Sequence, residues 1–184
     1  LWGISSAIFN EPELAFKEYK SSKIIADCLE ESGYQVERSI GGLETAFRAT
    51  LGSASDPIVA ILAEYDALTG LGHACGHNLI AAAAIGAGLA LAAIKPRLPG
   101  QIQIIGTPAE EGGGGKIILA EAGIFNNIDA AMMFHPASKN LVLRTSLASC
   151  KLKLEFFGKP SHAAAAPEEG INALDALILT FNNI

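Results

Sequence analysis

Two short segments contain side chains that could bind a metal ion. In the first, His73, Cys75 and His77 form a His-x-Cys-x-His cluster shortly after an apolar run that ends at Ala63. Thiolate and imidazole together suit zinc and similar transition ions. No zinc-finger spacing is present, so a buried structural cysteine beside hydrogen-bonded histidines is an equally good interpretation. The cluster alone leaves both interpretations open.

The second segment is Thr107–Gly115, in which Glu110 and Glu111 precede a run of glycines. Adjacent carboxylates repel each other, so an apolar chain that keeps two together after a strand indicates a cation there. One carboxylate could bind the cation while the other takes a proton from water. Phosphate binding is the competing use of such glycines. It is disfavoured because Lys116 is followed by Ile117 rather than Ser or Thr, and because the carboxylates would repel phosphate.

Two further histidines lie near the ends of predicted elements. His135 follows an apolar run, and such a histidine on its own is more often structural than functional. His162 follows Ser161 in a predicted loop, where an ordinary loop histidine is the default interpretation. The sequence contains no Gly-x-Ser-x-Gly elbow, no His-Glu-x-x-His motif and no zinc deaminase signature.

The composition is acidic and apolar. The 184 residues include 13 Lys and Arg against 19 Asp and Glu, which gives a net charge of −6. This balance, with no basic run, argues against nucleic acid or an anionic membrane as the main partner. Half of the residues are apolar and only 17% are charged. That excludes disorder and implies a large buried core, or a surface that a partner or a further part of the protein covers.

The ends and the cysteines give two more expectations. The chain begins with Leu1 rather than Met and stops at Ile184 inside a helical pattern, so we expect a piece of a longer chain. Cys28, Cys75 and Cys150 are odd in number and far apart, which is not typical of a secreted disulfide framework. We therefore expect a cytoplasmic protein.

Helices and strands alternate along most of the chain. The apolar periodicity predicts helices at residues 2–9, 18–31, 79–94, 116–122 and 171–181, and buried strands at 58–63, 101–105 and 130–134. The uncharged run 79–94 reaches only about 24 Å as a helix, short of a hydrocarbon core of about 30 Å, which indicates a buried helix. Residues 151–157 alternate apolar and charged side chains, a pattern typical of a one-faced antiparallel strand.

This order predicts an α/β protein with two domains. Residues 1–145 would form a three-layer α/β/α domain, whose site lies beyond the carboxyl ends of its strands. Residues 146–184 would begin a second, α+β domain.

Taken in order along the chain, the motifs resemble the M20 metallopeptidases. The branch that is most similar contains aminobenzoyl-glutamate hydrolase and the M20 domain-containing dipeptidases. The resemblance implies a zinc-peptidase-like catalytic domain over residues 1–145 and the start of a lid or dimerisation domain over 146–184. The segments that support it are Pro12–Phe16, Asp66–Leu68, His73–Asn78, Pro108–Glu111, His135 and Ser161–Ala163.

The resemblance also implies a site with two divalent metal ions. Cys75 would bridge the two ions, His77 and His135 would complete one of them, and Glu111 would bind the other. Zinc is the first expectation, with manganese or cobalt as alternatives. The family's last metal ligand, a C-terminal histidine, is not in this sequence, so we expect the chain alone to be inactive.

Three further residues receive catalytic roles from the resemblance. Glu110 would be the general base that activates a water molecule, and Asp66 would orient a metal ligand. His162, on the lid domain, would polarise the scissile carbonyl.

The resulting hypothesis is a metal-dependent amidohydrolase or dipeptidase. It would cleave the amide bond of a small N-acyl amino acid or dipeptide and form a homodimer through the lid domain. The alternative is a non-catalytic relative that uses the fold for ligand binding or assembly. The presence of Glu110 together with Glu111, Cys75, His77 and His135 disfavours that alternative, because binding alone needs no base beside a metal pair.

Overall fold

The three apolar runs predicted as strands lie in one sheet. The computed structural model describes residues 1–53, 57–95, 98–142, 145, 147–148, 150 and 152–184. Its strands are β1 (Gln35–Arg38), β2 (Phe47–Gly52), β3 (Ile58–Ala63), β4 (Gln101–Gly106) and β5 (Ala130–Met132). They form a five-stranded mixed sheet in the order β1-β2-β4-β3-β5. This confirms the expectation that 58–63, 101–105 and 130–134 contribute to a single sheet.

The sheet combines parallel and antiparallel pairs. β3 pairs in parallel with β4 and with β5, and Ala63 lies opposite Gly106 at the end of the first pair. β2 pairs antiparallel with β4 and with β1. Because β3, β4 and β5 are parallel, their carboxyl ends lie at the same edge of the sheet.

Helices cover both faces of the sheet. The helices of this part of the chain are α1 (Trp2–Asn10), α2 (Tyr19–Glu31), α3 (His77–Ala93) and α4 (Gly115–Glu121). Ile104 of β4 packs in a core with residues of α2 and α3, whereas its neighbour Ile105 packs in a second core with Leu119 of α4. Successive strand residues point to opposite faces, so these two cores define three layers. The predicted α/β class with three layers is confirmed.

None of the helices in the described ranges is both long and apolar enough to cross a membrane. The run 79–94 forms most of α3, which packs against β3 and β4.

The structure departs from the predicted strands in three places. β1 and β2 were not predicted. The third apolar run forms a strand of three residues only, and it is exposed rather than buried, with Met132 56% accessible. β5 pairs only with β3 and lies at the edge of the sheet, so its apolar composition does not reflect burial. No strand forms over residues 152–157, for which the described residues offer no partner strand; Lys151 lies outside them.

The described chain divides into two compact units, Leu1–Asn140 and Leu141–Ile184. In the second unit, Lys159 pairs with Ile171 in an isolated antiparallel bridge. It also contains α5 (Ala173–Asn183), whose first turn is capped by the Asn172 side chain. The functional division at residue 145 remains a prediction.

Candidate metal centre

Loops from three neighbouring parallel strands bring the chemically active side chains together. Glu64 and Asp66 follow β3, Glu110 and Glu111 follow β4, and His135 follows β5. The carboxyl ends of parallel strands are where open α/β sheets place their sites. The order of the strands therefore explains why residues far apart in sequence converge.

His77 is the central residue of the site. It is the first residue of α3 and only 1% exposed. Its Nδ1 lies 2.9 Å from the backbone carbonyl oxygen of Asp66 and 3.0 Å from Asp66 Oδ1. Both partners accept hydrogen bonds, so Nδ1 donates and the neutral ring has its lone pair on Nε2. That Nε2 is buried and has no hydrogen-bond partner.

Asp66 orients two elements of the site at once. While Oδ1 accepts from His77, Oδ2 accepts from the backbone N–H of Glu111 at 2.9 Å. Burial acts to raise the pKa of Asp66, but the hydrogen bonds from His77 and from the Glu111 backbone outweigh it and lower that pKa. Burial acts to lower the pKa of the His77 ring. The neighbouring carboxylates of Asp66 and Glu64 outweigh this effect, so the pKa of the ring is raised. Asp66 is thus an ionised acceptor that fixes His77 and the Glu111 backbone together.

His135 approaches His77 through a close contact between two loops. Gly76 has a φ of 79°, and a Cβ there would lie 2.7 Å from Cγ of Pro136. The absence of a side chain at Gly76 lets the loop after β5 come this near. His135 Nδ1 donates to the Pro136 carbonyl oxygen at 2.9 Å, so its neutral ring also has the lone pair on Nε2. The two imidazole rings meet edge to face, with centroids 6.4 Å apart.

Two groups of three ligand atoms share His77. In one, atoms of Glu64, His77 and His135 all lie within 4.8 Å of one another, and in the other the atoms belong to His77, Glu110 and Glu111. His77 Nε2 is 3.7 Å from Glu111 Oε1 and 3.9 Å from Glu110 Oε2. The buried, unpartnered Nε2 and the chemistry of these ligand atoms fit a metal ion. His77 could be a ligand in either of the two groups.

A left-handed turn presents Glu110 and Glu111. Ala109, just before them, has a φ of 58° although it is not glycine. Its backbone N–H donates to the fully buried Glu18 at 2.9 Å, which holds this unusual conformation in place. Burial and the charge on Glu64 raise the pKa of Glu110, which is the more exposed of the two carboxylates.

Cys75 lies at the margin of this arrangement. It is exposed, and its hydrogen bond with the Glu111 side chain, together with partial burial, raises the pKa of the thiol to about 11. Among the residues that the structure describes, Cys75 is not a member of either three-ligand group. The side chains of Cys75 and Glu111 are in contact, and the bridging role of Cys75 stays a prediction.

His162 belongs to the second unit and is described within it. Its Nδ1 accepts hydrogen bonds from the backbone N–H groups of Ala164 and Ala165, at 3.2 and 3.1 Å. Its expected role toward a substrate stays a prediction. His73, the remaining histidine of the first cluster, is buried, and burial lowers its pKa.

Two residues of the site were not singled out by the sequence analysis. Glu64 is only 2% exposed, and its Oε2 lies 3.3 Å from His77 Nε2. Lys116 of α4 forms an ion pair with it. A signal for Glu64 was present: it stands two residues before Asp66 at the end of a strand, so the two side chains share one side of the extended chain. No comparable pattern indicates Lys116.

Comparison with known proteins agrees with this geometry. The sequence profile described as peptidase family M20/M25/M40 matches residues 59–181. The Xaa-Arg dipeptidase of Mus musculus is 44% identical over 100% of this chain and 46% of its own length. One of the subunits of the p-aminobenzoyl-glutamate hydrolase of Escherichia coli is 36% identical over 96% of this chain and 40% of its own length.

A solved structure is similar as well. The Bacillus subtilis YXEP protein, described as a dinuclear metal-binding peptidase from the M20 family, has a TM-score of 0.61 and 30% identity. The match covers 71% of this chain and 42% of that one. The chain thus spans under half the length of these relatives.

Proposed function

Because the chain belongs to peptidase family M20/M25/M40, we propose that it forms part of the active site of a metal-dependent amidohydrolase. The bond cleaved is the amide bond of a small N-acyl amino acid or of a dipeptide. The names of two similar proteins, a dipeptidase and an aminobenzoyl-glutamate hydrolase, support this substrate class.

The observation that most supports the proposal is the arrangement of His77. Its Nδ1 is engaged by Asp66 and its Nε2 is buried, unpartnered and within 4.8 Å of carboxylate oxygens on two sides. We assign His77 and His135 to one cation and Glu111 to a second, with Cys75 as the bridging ligand expected from the resemblance. Nitrogen, sulfur and carboxylate ligands suit zinc, with manganese or cobalt as alternatives.

Each residue has a distinct task in this proposal. A bound pair of divalent cations supplies Lewis acidity toward the substrate carbonyl and toward a water molecule. Glu110 takes the proton from that water and delivers it to the leaving amine. Asp66 holds His77 in the tautomer that leaves Nε2 open. His162 hydrogen-bonds the carbonyl oxygen of the substrate, a role that rests on the resemblance alone.

Two properties of the whole protein belong to the same proposal. We propose a homodimer formed through the second unit, in which α5 exposes apolar side chains such as Leu177 and Phe181. We also propose a cytoplasmic location, since Cys28, Cys75 and Cys150 are free. Sedimentation of the purified protein and microscopy of a tagged protein would test these two points.

The decisive experiment replaces the proposed base. Glu110→Gln in the full-length protein removes the proton acceptor but keeps the size of the side chain. We expect turnover of a dipeptide and acyl-amino acid panel to fall at least about a hundredfold, the usual contribution of a general base, with metal content unchanged. Glu121→Gln, on the exposed end of α4, is the control.

Wild-type turnover by the Glu110→Gln variant would exclude this mechanism. A wild-type protein that binds metal but cleaves no member of the panel would favour the ligand-binding or assembly function instead.

A further inference from the structure

The ion pair between Glu64 and Lys116 lies next to the His77 ring. Lys116 Nζ contacts Glu64 Oε1, while Glu64 Oε2 is buried, has no hydrogen-bond partner and lies 3.3 Å from His77 Nε2. That nitrogen is equally unpartnered. Two buried polar atoms therefore face each other with no hydrogen bond between them, an arrangement that is costly unless a further group occupies the gap.

The group in the gap could be a proton or a metal ion, and a third side chain distinguishes the two. A proton is shared by two atoms, so it would involve only Glu64 and His77. A ring nitrogen of His135 lies within 4.8 Å of both ligand atoms, and His135 donates from Nδ1 to Pro136, which leaves Nε2 for a ligand. Three convergent lone pairs indicate a metal ion, because only a cation is stabilised by three acceptors at once.

We propose that Glu64 is a metal ligand, together with His77 and His135, and that Lys116 is the positioning residue that holds it. The inference rests on the metal centre of the proposed function and adds a ligand to one of its two sites. The expected ion is a borderline divalent cation such as zinc, which takes imidazole nitrogen and carboxylate oxygen.

Lys116 makes a buried carboxylate available at this position. A carboxylate that is 2% exposed loses most of its hydration, which costs free energy unless a partner replaces the lost water. The ammonium group of Lys116 on Oε1 offsets that loss and directs Oε2 toward His77. Lys116 is the second residue of α4, and the backbone N–H groups of Gly113 and Gly115 before it donate to the Ala109 carbonyl oxygen. The turn at Ala109, which presents Glu110, is therefore tied to the start of α4 and helps to set the position of the ammonium group.

The test measures metal binding rather than turnover. Full-length wild-type protein and the variants Glu64→Gln and Lys116→Met are stripped of metal, and zinc affinity is measured by competition with a chromophoric chelator. For Lys116→Met we expect a loss of about tenfold, in the range found when a partner of a ligand is removed. For Glu64→Gln we expect a larger loss, of at least about a hundredfold, at one of the two sites.

The Co²⁺-substituted proteins separate a ligand from a positioning residue. Glu64→Gln replaces a ligand and should change the d–d absorption spectrum, whereas Lys116→Met keeps the ligand set and should leave the shape of the spectrum unchanged. Lys116→Arg keeps the positive charge and should restore most of the zinc affinity. Lys17→Met and Glu121→Gln, both exposed, serve as matched controls.

Each outcome decides the question. Wild-type affinity and an unchanged cobalt spectrum in Glu64→Gln would overturn the ligand role, and wild-type affinity in Lys116→Met would overturn the positioning role. If Glu64→Gln does not fold, Glu64→Asp keeps the charge but withdraws the oxygen, and wild-type zinc affinity there overturns the proposal. Peptide turnover is measured separately. If the wild type is active and Glu64→Gln binds zinc with wild-type affinity, only the inference about Glu64 is refuted. If the wild type cleaves no substrate, the proposed function itself fails.

Discussion

At the scale of single residues, the site depends on which nitrogen of each histidine is engaged. Asp66 occupies Nδ1 of His77, and the Pro136 carbonyl occupies Nδ1 of His135. Both rings therefore offer Nε2 to the same region. Neither acceptor needs to touch a metal ion or substrate to determine the chemistry, because an imidazole binds a cation only through the nitrogen without a proton.

Replacing Asp66 with Asn tests this dependence. The carboxylate accepts from His77 on one oxygen and from the Glu111 backbone on the other. An asparagine has one acceptor oxygen, so one of the two donors loses its partner. We expect zinc affinity to fall about 10- to 100-fold in Asp66→Asn, measured by chelator competition. Asp175→Asn, on the exposed start of α5, should bind zinc like the wild type, and equal affinity in both variants would contradict the role of Asp66.

The set of residues that form the site was only partly predictable from the sequence. The pairs His77 with Cys75 and Glu110 with Glu111 are visible because they are close along the chain. Lys116 could not be predicted as a partner of Glu64, because their contact depends on how residues 109–115 place the start of α4 against the end of β3. Spacing along the chain indicates which residues could act, and the loop conformations determine which of them meet.

At the scale of elements, Glu18 joins three segments around the site. It stands just before α2, and its carboxylate accepts from the backbone N–H groups of Phe16 and Ala109 and from the Thr45 hydroxyl. Phe16 and Ala109 both have a positive φ, which is unfavourable for residues with a side chain. The hydrogen bonds to Glu18 therefore stabilise two strained turns, one of which presents Glu110.

Glu18→Ala would leave buried donors without an acceptor. Each such group costs about 1–3 kcal/mol, so we expect the free energy of unfolding to fall by at least about 3 kcal/mol in urea denaturation. Glu31→Ala, at the exposed end of α2, should change it by less than about 0.5 kcal/mol. A Glu18→Ala variant as stable as Glu31→Ala would show that the turns do not depend on this carboxylate.

The packing of α3 gives a pH-dependent prediction. Tyr34 donates from its hydroxyl to the Gly88 carbonyl at 2.9 Å, and burial raises the pKa of this phenol to about 12 from 10.0. Since the folded pKa is the higher one, Tyr34 contributes stability that is present below pH 10 and is lost as pH rises toward 12.

Tyr34→Phe has no proton to lose, so the variant isolates this effect. At pH 7 it should be less stable by about 1 kcal/mol, because it lacks the hydrogen bond. Between pH 9 and 11 the wild type should lose about 1 kcal/mol relative to the variant, measured as the difference in their free energies of unfolding. A difference that stays constant over this pH range would contradict a buried phenol with a raised pKa.

The strands that the sequence predicted best are β3 and β4, in which every residue is buried or partly buried. β3 is a continuous apolar run and β4 contains three isoleucines in six residues, and both were predicted at nearly their observed bounds. β1 and β2 contain charged side chains, such as Glu37 and its ion-pair partner Arg48, and lack a continuous apolar run. β5 was predicted as buried because an apolar strand at a sheet edge has the same composition as one at the centre. Position within the sheet depends on pairing between distant segments, which local composition does not specify.

At the scale of the whole molecule, the metal centre concentrates negative charge in an already acidic chain. Glu64, Asp66, Glu110 and Glu111 all lie around His77, and the chain as a whole has a net charge of −6. Lys116 offsets one of these charges. The remaining carboxylates repel one another, so the loops after β3, β4 and β5 are held together less well without a cation than with one.

Removal of metal should therefore lower the thermal stability of the protein. A ligand that binds only the folded state stabilises it by about 2.7 kcal/mol when present at about 100 times its Kd. For a chain of this size that corresponds to a fall in Tm of about 5–10 °C when EDTA is added to the zinc-loaded protein. Zinc should restore the Tm, whereas magnesium, which prefers oxygen ligands alone, should not.

In Glu64→Gln the fall in Tm on addition of EDTA should be smaller than in the wild type. One metal site has lost a ligand in this variant, and the repulsion among the carboxylates has also decreased. A Tm that is the same with zinc, with EDTA and with magnesium would mean that the three loops are held by their protein contacts alone, and the metal centre would have to be abandoned.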